Sequence, residues 1–197
     1  MSVRQSPKFM QKQRVILTAA EQLFVQNGYG ATTMDAVAQT AGVTKQTVYR
    51  YFVSKQKLLI CLIEQHQQQS PAFSFSQQSI EDELYRYGLA FLEFHFTTAR
   101  LNLFQLMFCE SKTQPEVAAI FKSQAQPMWQ HVLESFLQQC LKCEVKTDQY
   151  VAMFHALLLH QRVPVLMGLR AVPSNQEIKE WARESTDLFL HGINKRN

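Results

Sequence analysis

Between Thr33 and Phe52 the chain has room for two short helices and almost nothing between them. The stretch TMDAVAQTAGVTKQTVYRYF holds one tight turn, Ala41-Gly42-Val43, and its apolar residues recur at helical spacing on either side. Few arrangements satisfy both demands, and a helix-turn-helix is one that does. Ala38 is small where the two helices must approach, Gly42 permits the turn, and Val37, Val43, Val48 and Phe52 supply apolar contacts. Thr44 is a good cap for the second helix, which the pattern ends around Phe52. The first residues of that helix are Thr44, Lys45, Gln46 and Thr47. Lys can donate to guanine, Gln can pair with adenine, and Thr offers a methyl or a hydroxyl, so this is chemistry suited to base edges in a major groove. Tyr49, Tyr51 and Lys55 would then meet the flanking phosphates, and Thr33 stands similarly at the start of the first helix of the pair. Taken singly, Tyr49 also suits packing and Lys55 also suits plain solvation.

The surroundings are helical as well. Val15, Ile16, Ala19, Leu23 and Phe24 form one apolar face that Asn27-Gly28 should end, with Gly28 suited to a left-handed position. Thr32 with Asp35, or Thr33 alone, can cap the next helix. Ser54 caps a fourth, through Lys55, Leu58, Leu59, Leu62 and Ile63. From Gln65 to Ser79 the chain turns polar and reads as a linker or a frayed end. Beyond Ile80 the pattern predicts helices at about 80–98, 100–110, 115–143, 148–170 and 174–193, with Pro164 kinking or dividing the fourth of these. No strand alternation and no repeat is visible. The expected fold class is all-α, a helix-turn-helix domain over residues 1–64 followed by a helical domain over 65–197.

Charge is unevenly spread. Residues 1–60 carry eight Lys/Arg against two acids, Glu21 and Asp35, while residues 61–197 carry twelve against fourteen. The net charge of +4 therefore belongs to the first third, which suits a polyanionic partner. Hydrophobic residues make up 46% of the 197, enough for a sizeable core, and no apolar run reaches membrane-spanning length. With no signal segment and no disulfide framework in the spacing of Cys61, Cys109, Cys140 and Cys143, the expectation is a soluble, cytoplasmic protein without membrane contact. Cys140-x-x-Cys143 lacks a second pair for zinc and lacks a redox-domain context, so packing explains it more simply. No Gly-rich phosphate loop, nucleophile elbow or His-Glu-x-x-His pattern occurs, and Glu81, Asp82 and Glu83 read as first-turn charges. No catalytic residue, metal or cofactor is expected.

Residues from about Arg14 to Leu59 resemble the DNA-binding domain of the TetR family of bacterial regulators. The matching pieces are Gly28-Tyr29, Thr32-Thr33, Val37-Ala38, Ala41-Gly42-Val43, Tyr49-Arg50-Tyr51-Phe52 and Ser54-Lys55-Gln56-Lys57-Leu58. Many relatives have Gly or Pro where Gln46 stands, so no operator sequence carries over. The resemblance implies a homodimer with two DNA-reading heads, a regulatory domain with a ligand pocket, and a dimer interface built from the last two helices. The segment from Leu103 to Leu137 is loosely similar to the regulatory domains of efflux-repressor relatives.

Two further residue sets follow. Phe91, Phe94, His95, Met107, Phe108, Phe121, Trp129 and Phe154 are either ordinary core or the lining of an adaptable apolar pocket, with His95, His131 or Glu110 as polar anchors. Ile178, Trp181, Ser185, Leu188 and Phe189 form one stripe of the last helix, either core or the face toward a second subunit. The expected function is a ligand-responsive regulator, a repressor released from a palindromic operator in double-stranded DNA by a small hydrophobic effector. The alternative is a DNA-binding protein of the same fold whose second domain binds a protein partner.

Overall fold

Hydroxyl side chains open the first five helices. Ser6 caps α1 (Pro7–Ala31), Thr33 caps α2 (Met34–Thr40), Thr44 caps α3 (Lys45–Tyr51), Ser54 caps α4 (Lys55–Gln68) and Ser79 caps α5 (Ile80–His95). Each hydroxyl accepts a hydrogen bond from a first-turn N–H that the helix itself cannot satisfy. Thr33, not Thr32, is thus the cap of α2. The computed structural model describes residues 6–76, 78–124, 128–141 and 147–194. The remaining helices are α6 (Thr98–Glu110), α7 (Pro115–Gln124), α8 (Met128–Leu141), α9 (Thr147–Leu158), α10 (Arg162–Leu166) and α11 (Asn175–Asn194), with no strand among the described residues.

Two expected helices are each divided. The stretch 115–143 holds α7 and α8, and Pro127, which stands between them in the sequence, has no N–H to continue a ladder. The stretch 148–170 holds α9 and α10, and the break comes ahead of Pro164. Pro164 sits in the first turn of α10, where a missing N–H costs nothing. Cys143 lies outside the described residues, while Cys140 is exposed and free.

The described chain packs as two units, one holding residues up to Gln69 and Asn102–Ala125, the other Ser70–Leu101 and Gln126–Asn197. Packing therefore cuts the chain differently from a single division at 64/65, since the segment from Asn102 joins the first unit. In that unit Ile16, Ala20 and Phe24 of α1, Val37 and Ala38 of α2, Val48 of α3 and Leu58, Leu59 and Leu62 of α4 share one core with Leu103, Leu106, Val117 and Ile120. His66, buried on α4, meets Glu21 of α1 at 2.9 Å.

In the second unit α11 lies along α5 and α9. Gly88 lets them close, since a Cβ there would stand 3.0 Å from Leu158 and 3.8 Å from Ala182. Ile178, Trp181, Ser185 and Phe189 are buried within this unit. Of the stripe that reads as either core or a subunit face, four of the five positions are core within the unit, and only Leu188 is exposed, at 64%. Helical periodicity identified a buried face but not what buries it. In the first turn of α5, Glu83 is fully buried and accepts from the Ser76 and Gln78 N–H groups, the Ser76 hydroxyl and Arg86. Burial pushes its pKa up, but those donors outweigh it and hold the carboxylate below its ordinary range.

The turn between α2 and α3 closes with Val43 N–H on the Ala38 carbonyl and Gly42 N–H on that of Gln39, a Schellman arrangement. It puts Gly42 at φ 64°, and a Cβ there would touch nothing within 4 Å. Only the backbone preference opposes a side chain. Gly42→Ala should therefore cost roughly 1–2 kcal/mol in urea unfolding, and Gly42→Asn less, because Asn tolerates the left-handed region. An Ala variant as stable as the parent would mean that the turn relaxes to another conformation.

Candidate nucleic-acid interface

The seven residues of α3 divide cleanly. Val48 is fully buried in the core of the first unit, while Lys45, Gln46, Tyr49 and Arg50 are exposed and Thr47 is half-buried. The Thr44 hydroxyl accepts from Thr47 N–H at 3.2 Å and shares a 2.9 Å hydrogen bond with the Thr47 hydroxyl. This self-capping start holds both side chains at the outer end of α3. Lys45 pairs with Asp35 of α2 at 2.8 Å, with both side chains more than half exposed. Asp35 raises the Lys45 pKa through this contact. So exposed a pair holds together weakly and can be exchanged for another anion. Thr33 is exposed, and its hydroxyl oxygen takes the Ala36 N–H, which leaves its own O–H to donate.

Tyr51 and Lys55 are less free than the sequence suggested. The Tyr51 ring lies 4.4 Å from that of Phe9 in α1 and carries the Arg50 guanidinium at 5.5 Å, so it is a half-buried packing residue. Lys55 points inward. Its ammonium donates to the Tyr29 carbonyl at 2.6 Å and the Gly30 carbonyl at 3.1 Å, and stands 4.4 Å over the buried Tyr29 ring. Burial lowers its pKa, with Glu116 and Glu110 opposing. Two of its three N–H groups are thereby used, leaving one for a phosphate.

The reason lies in α1, which breaks at Gly28 (φ 83°, ψ 161°). The φ is positive, as the sequence implied, but the ψ is extended rather than left-handed helical. Glu110, at the end of α6, accepts from the Gly30 N–H at 3.0 Å, and a Cβ at Gly28 would run into its carboxylate. Glu110 is thus part of the reading unit rather than a ligand anchor. No local pattern reveals this, because the partners are 80 positions apart. Arg50 was also missed as an exposed cation, although it stands inside the aromatic motif.

The eight candidate pocket residues are divided. Phe91, His95, Trp129 and Phe154 are buried in the second unit, and Phe94 packs against them half-buried. Met107, Phe108 and Phe121 belong to the first unit, where Phe121 packs on its core and Phe108 is exposed. His131 is exposed. Around Phe91 the rings of His95 and His155 lie at 4.1 and 4.4 Å, and the Tyr87 hydroxyl donates to the Trp129 carbonyl and meets His155 Nε2, both at 2.7 Å. Burial lowers the His155 pKa to about 4. Among the described residues no group of His, Cys, Asp and Glu is placed to hold a metal ion.

A family model described as "Bacterial regulatory proteins, tetR family" matches residues 16–61. One described as "AefR-like transcriptional repressor, C-terminal domain" matches residues 82–192. The chain is 26% identical over 187 residues to the HTH-type transcriptional regulator UidR of Escherichia coli (strain K12), across 90% of this chain and 87% of that protein. It is 29% identical over 189 residues to the HTH-type transcriptional regulator YvkB of Bacillus subtilis (strain 168), across 90% and 95%. A TetR family transcriptional regulator from Pseudomonas syringae pv. tomato str. DC3000 has the same fold, with a TM-score of 0.77 at 22% identity over 92% of this chain and 96% of that one.

The position of Lys55 yields a test. Lys55→Met should lower the unfolding free energy by roughly 1–3 kcal/mol in a denaturant titration, since two carbonyls lose their donor. A lysine serving only as an exposed phosphate contact would change stability by no more than about 0.5 kcal/mol.

Proposed function

The chain belongs to the TetR family of bacterial transcriptional regulators, which are not enzymes, and from that premise we propose that it is a dimeric repressor released from a palindromic operator by a small molecule. The observation that carries the DNA-reading half is the division of α3. Val48 anchors the helix in the core, while Lys45, Gln46 and Tyr49 are exposed, with Thr44 and the half-buried Thr47 at its self-capped start. Thr33 and the remaining N–H of Lys55 supply phosphate contacts at the flanks, and Tyr51, whose ring packs on Phe9, adds one only through its hydroxyl. The family description of residues 82–192 as repressor-like supports the sign of regulation. No helix among the described residues is long and apolar enough to cross a membrane, and a DNA partner suits action in the cytoplasm.

A palindrome requires two heads about 34–36 Å apart, or a multiple of that. A second copy needs an apolar face that the chain itself does not cover. Leu188 of α11 is exposed, as are Met167, Leu169 and Val172 after α10, and Leu188 is the candidate tested below. The effector site falls in the aromatic cluster of Phe91, Phe94, His95, Trp129 and Phe154. A repressor needs a difference in effector affinity between its DNA-bound and released forms, and about 1–3 kcal/mol reduces DNA affinity roughly 5- to 150-fold.

Gln46→Ala should relax preference at one position of each half-site by roughly 1–3 kcal/mol, read by selecting bound sequences from a random DNA pool. A uniform loss of affinity with unchanged preference would place Gln46 off the bases. For assembly, Leu188→Glu should give a folded monomer in light scattering at micromolar concentration, with loss of tight operator binding. Trp181→Glu should instead unfold the second unit, because Trp181 is core. A Leu188→Glu protein that remains dimeric would move the interface elsewhere.

A further inference from the structure

The first 60 residues hold two acids, Glu21 and Asp35, against eight Lys/Arg. Glu21 is occupied inside the first unit, where it meets the buried His66 at 2.9 Å. Asp35 is placed differently. It lies in the first turn of α2 with its side chain 62% exposed, and its two carboxylate oxygens stand 2.8 and 2.9 Å from the Lys45 ammonium. A carboxylate on a head that must approach phosphates opposes binding, so its presence there needs a reason.

Part of the reason is local, since an acid in the first turn suits a helix N-terminus. That does not account for its contact. Lys45 is the first residue of α3, where the dipole disfavours a cation, and Asp35 supplies the countercharge. The Thr33 and Thr44 hydroxyls fix the starts of α2 and α3, and the Gly42 turn joins the two helices. The pair is ten positions apart, so the helix-turn-helix itself sets its geometry.

An ammonium held on one side by a carboxylate still has an N–H to give. A phosphate that took it would have to come up beside the Asp35 charge, or displace that charge and leave it unpaired against the DNA. The guanine O6 and N7 atoms are neutral acceptors and can be met with the pair intact. The pair is exposed enough for exchange, so Asp35 tips this balance rather than locking the side chain.

We infer that Asp35 is a specificity-determining residue that positions Lys45: it holds the ammonium for a guanine edge in the major groove and makes it a poorer partner for the phosphates of non-operator DNA. This rests on the reading of α3 as the DNA-reading helix, and it adds to that helix a residue from outside it.

The test uses the full-length protein, the operator selected from a random DNA pool, and a labelled duplex of unrelated sequence, with anisotropy read across a salt series. Asp35→Asn should bind the unrelated duplex roughly two- to fivefold more tightly than the parent and steepen its salt dependence by about 0.9, because Lys45 then neutralises one more phosphate. Operator affinity should change less, so discrimination falls. Asp35→Glu, which keeps the charge, should retain the parental slope, and Asp35→Ser repeats the measurement with a second neutral side chain. In a fresh selection Asp35→Asn and Lys45→Met should relax a guanine preference at the same position of each half-site, and the double variant should lose no more preference than Lys45→Met alone. A lower melting temperature with parental slope and preference would reduce Asp35 to a helix-end charge and overturn the inference. So would relaxation at a different position from that of Lys45→Met, because Asp35 would then act by itself. If Lys45→Met leaves the selected sequence unchanged, the inference also falls, while Gln46→Ala tests the reading of α3 separately.

Discussion

The corner between α1 and α2 is the joint on which the reading head depends. A helix that breaks releases backbone N–H and C=O groups, and in a packed protein these must find partners. Here the break at Gly28 frees carbonyls that Lys55 takes up and an N–H that Glu110 takes up. Lys55 sits poorly by one measure, since the first turn of a helix disfavours a cation. The carbonyl oxygens, the face of Tyr29 and the nearby acids Glu110 and Glu116 offset that. The corner is thereby tied to the start of α4 and to the end of α6 within one packing unit. Thr33 follows directly, and from it α2, the Gly42 turn and α3.

Much of this was legible because it is local. Caps at Thr33, Thr44 and Ser54, the turn at Gly42 and the buried faces of α1 to α4 each arise from residues within one or two turns of one another. Long-range contacts were not legible. Lys55 looked like a phosphate donor because its place at the start of α4 is right for one, and nothing nearby in sequence shows that its ammonium reaches back 26 positions. The aromatic and Met residues of the middle helices share one composition, yet the fold assigns them to two cores, with Phe121 in one and Phe154 in the other. The Trp181 stripe has the same limit, because periodicity cannot tell an internal partner from a second subunit.

Cations do different work within the first unit, and solvation decides which. Lys45 is exposed and only loosely held by Asp35. Such a charge gives long-range attraction and a salt-sensitive contribution, which suits a polymer of phosphates searched at many positions. Lys55 is partly buried and already held by two carbonyls, so it ties the Gly28 corner to α4. An exposed, exchangeable cation therefore suits DNA, and a buried, bonded one suits the scaffold. Family membership fixes that scaffold and leaves the exposed positions open, so what the head reads is decided by those side chains rather than by the fold.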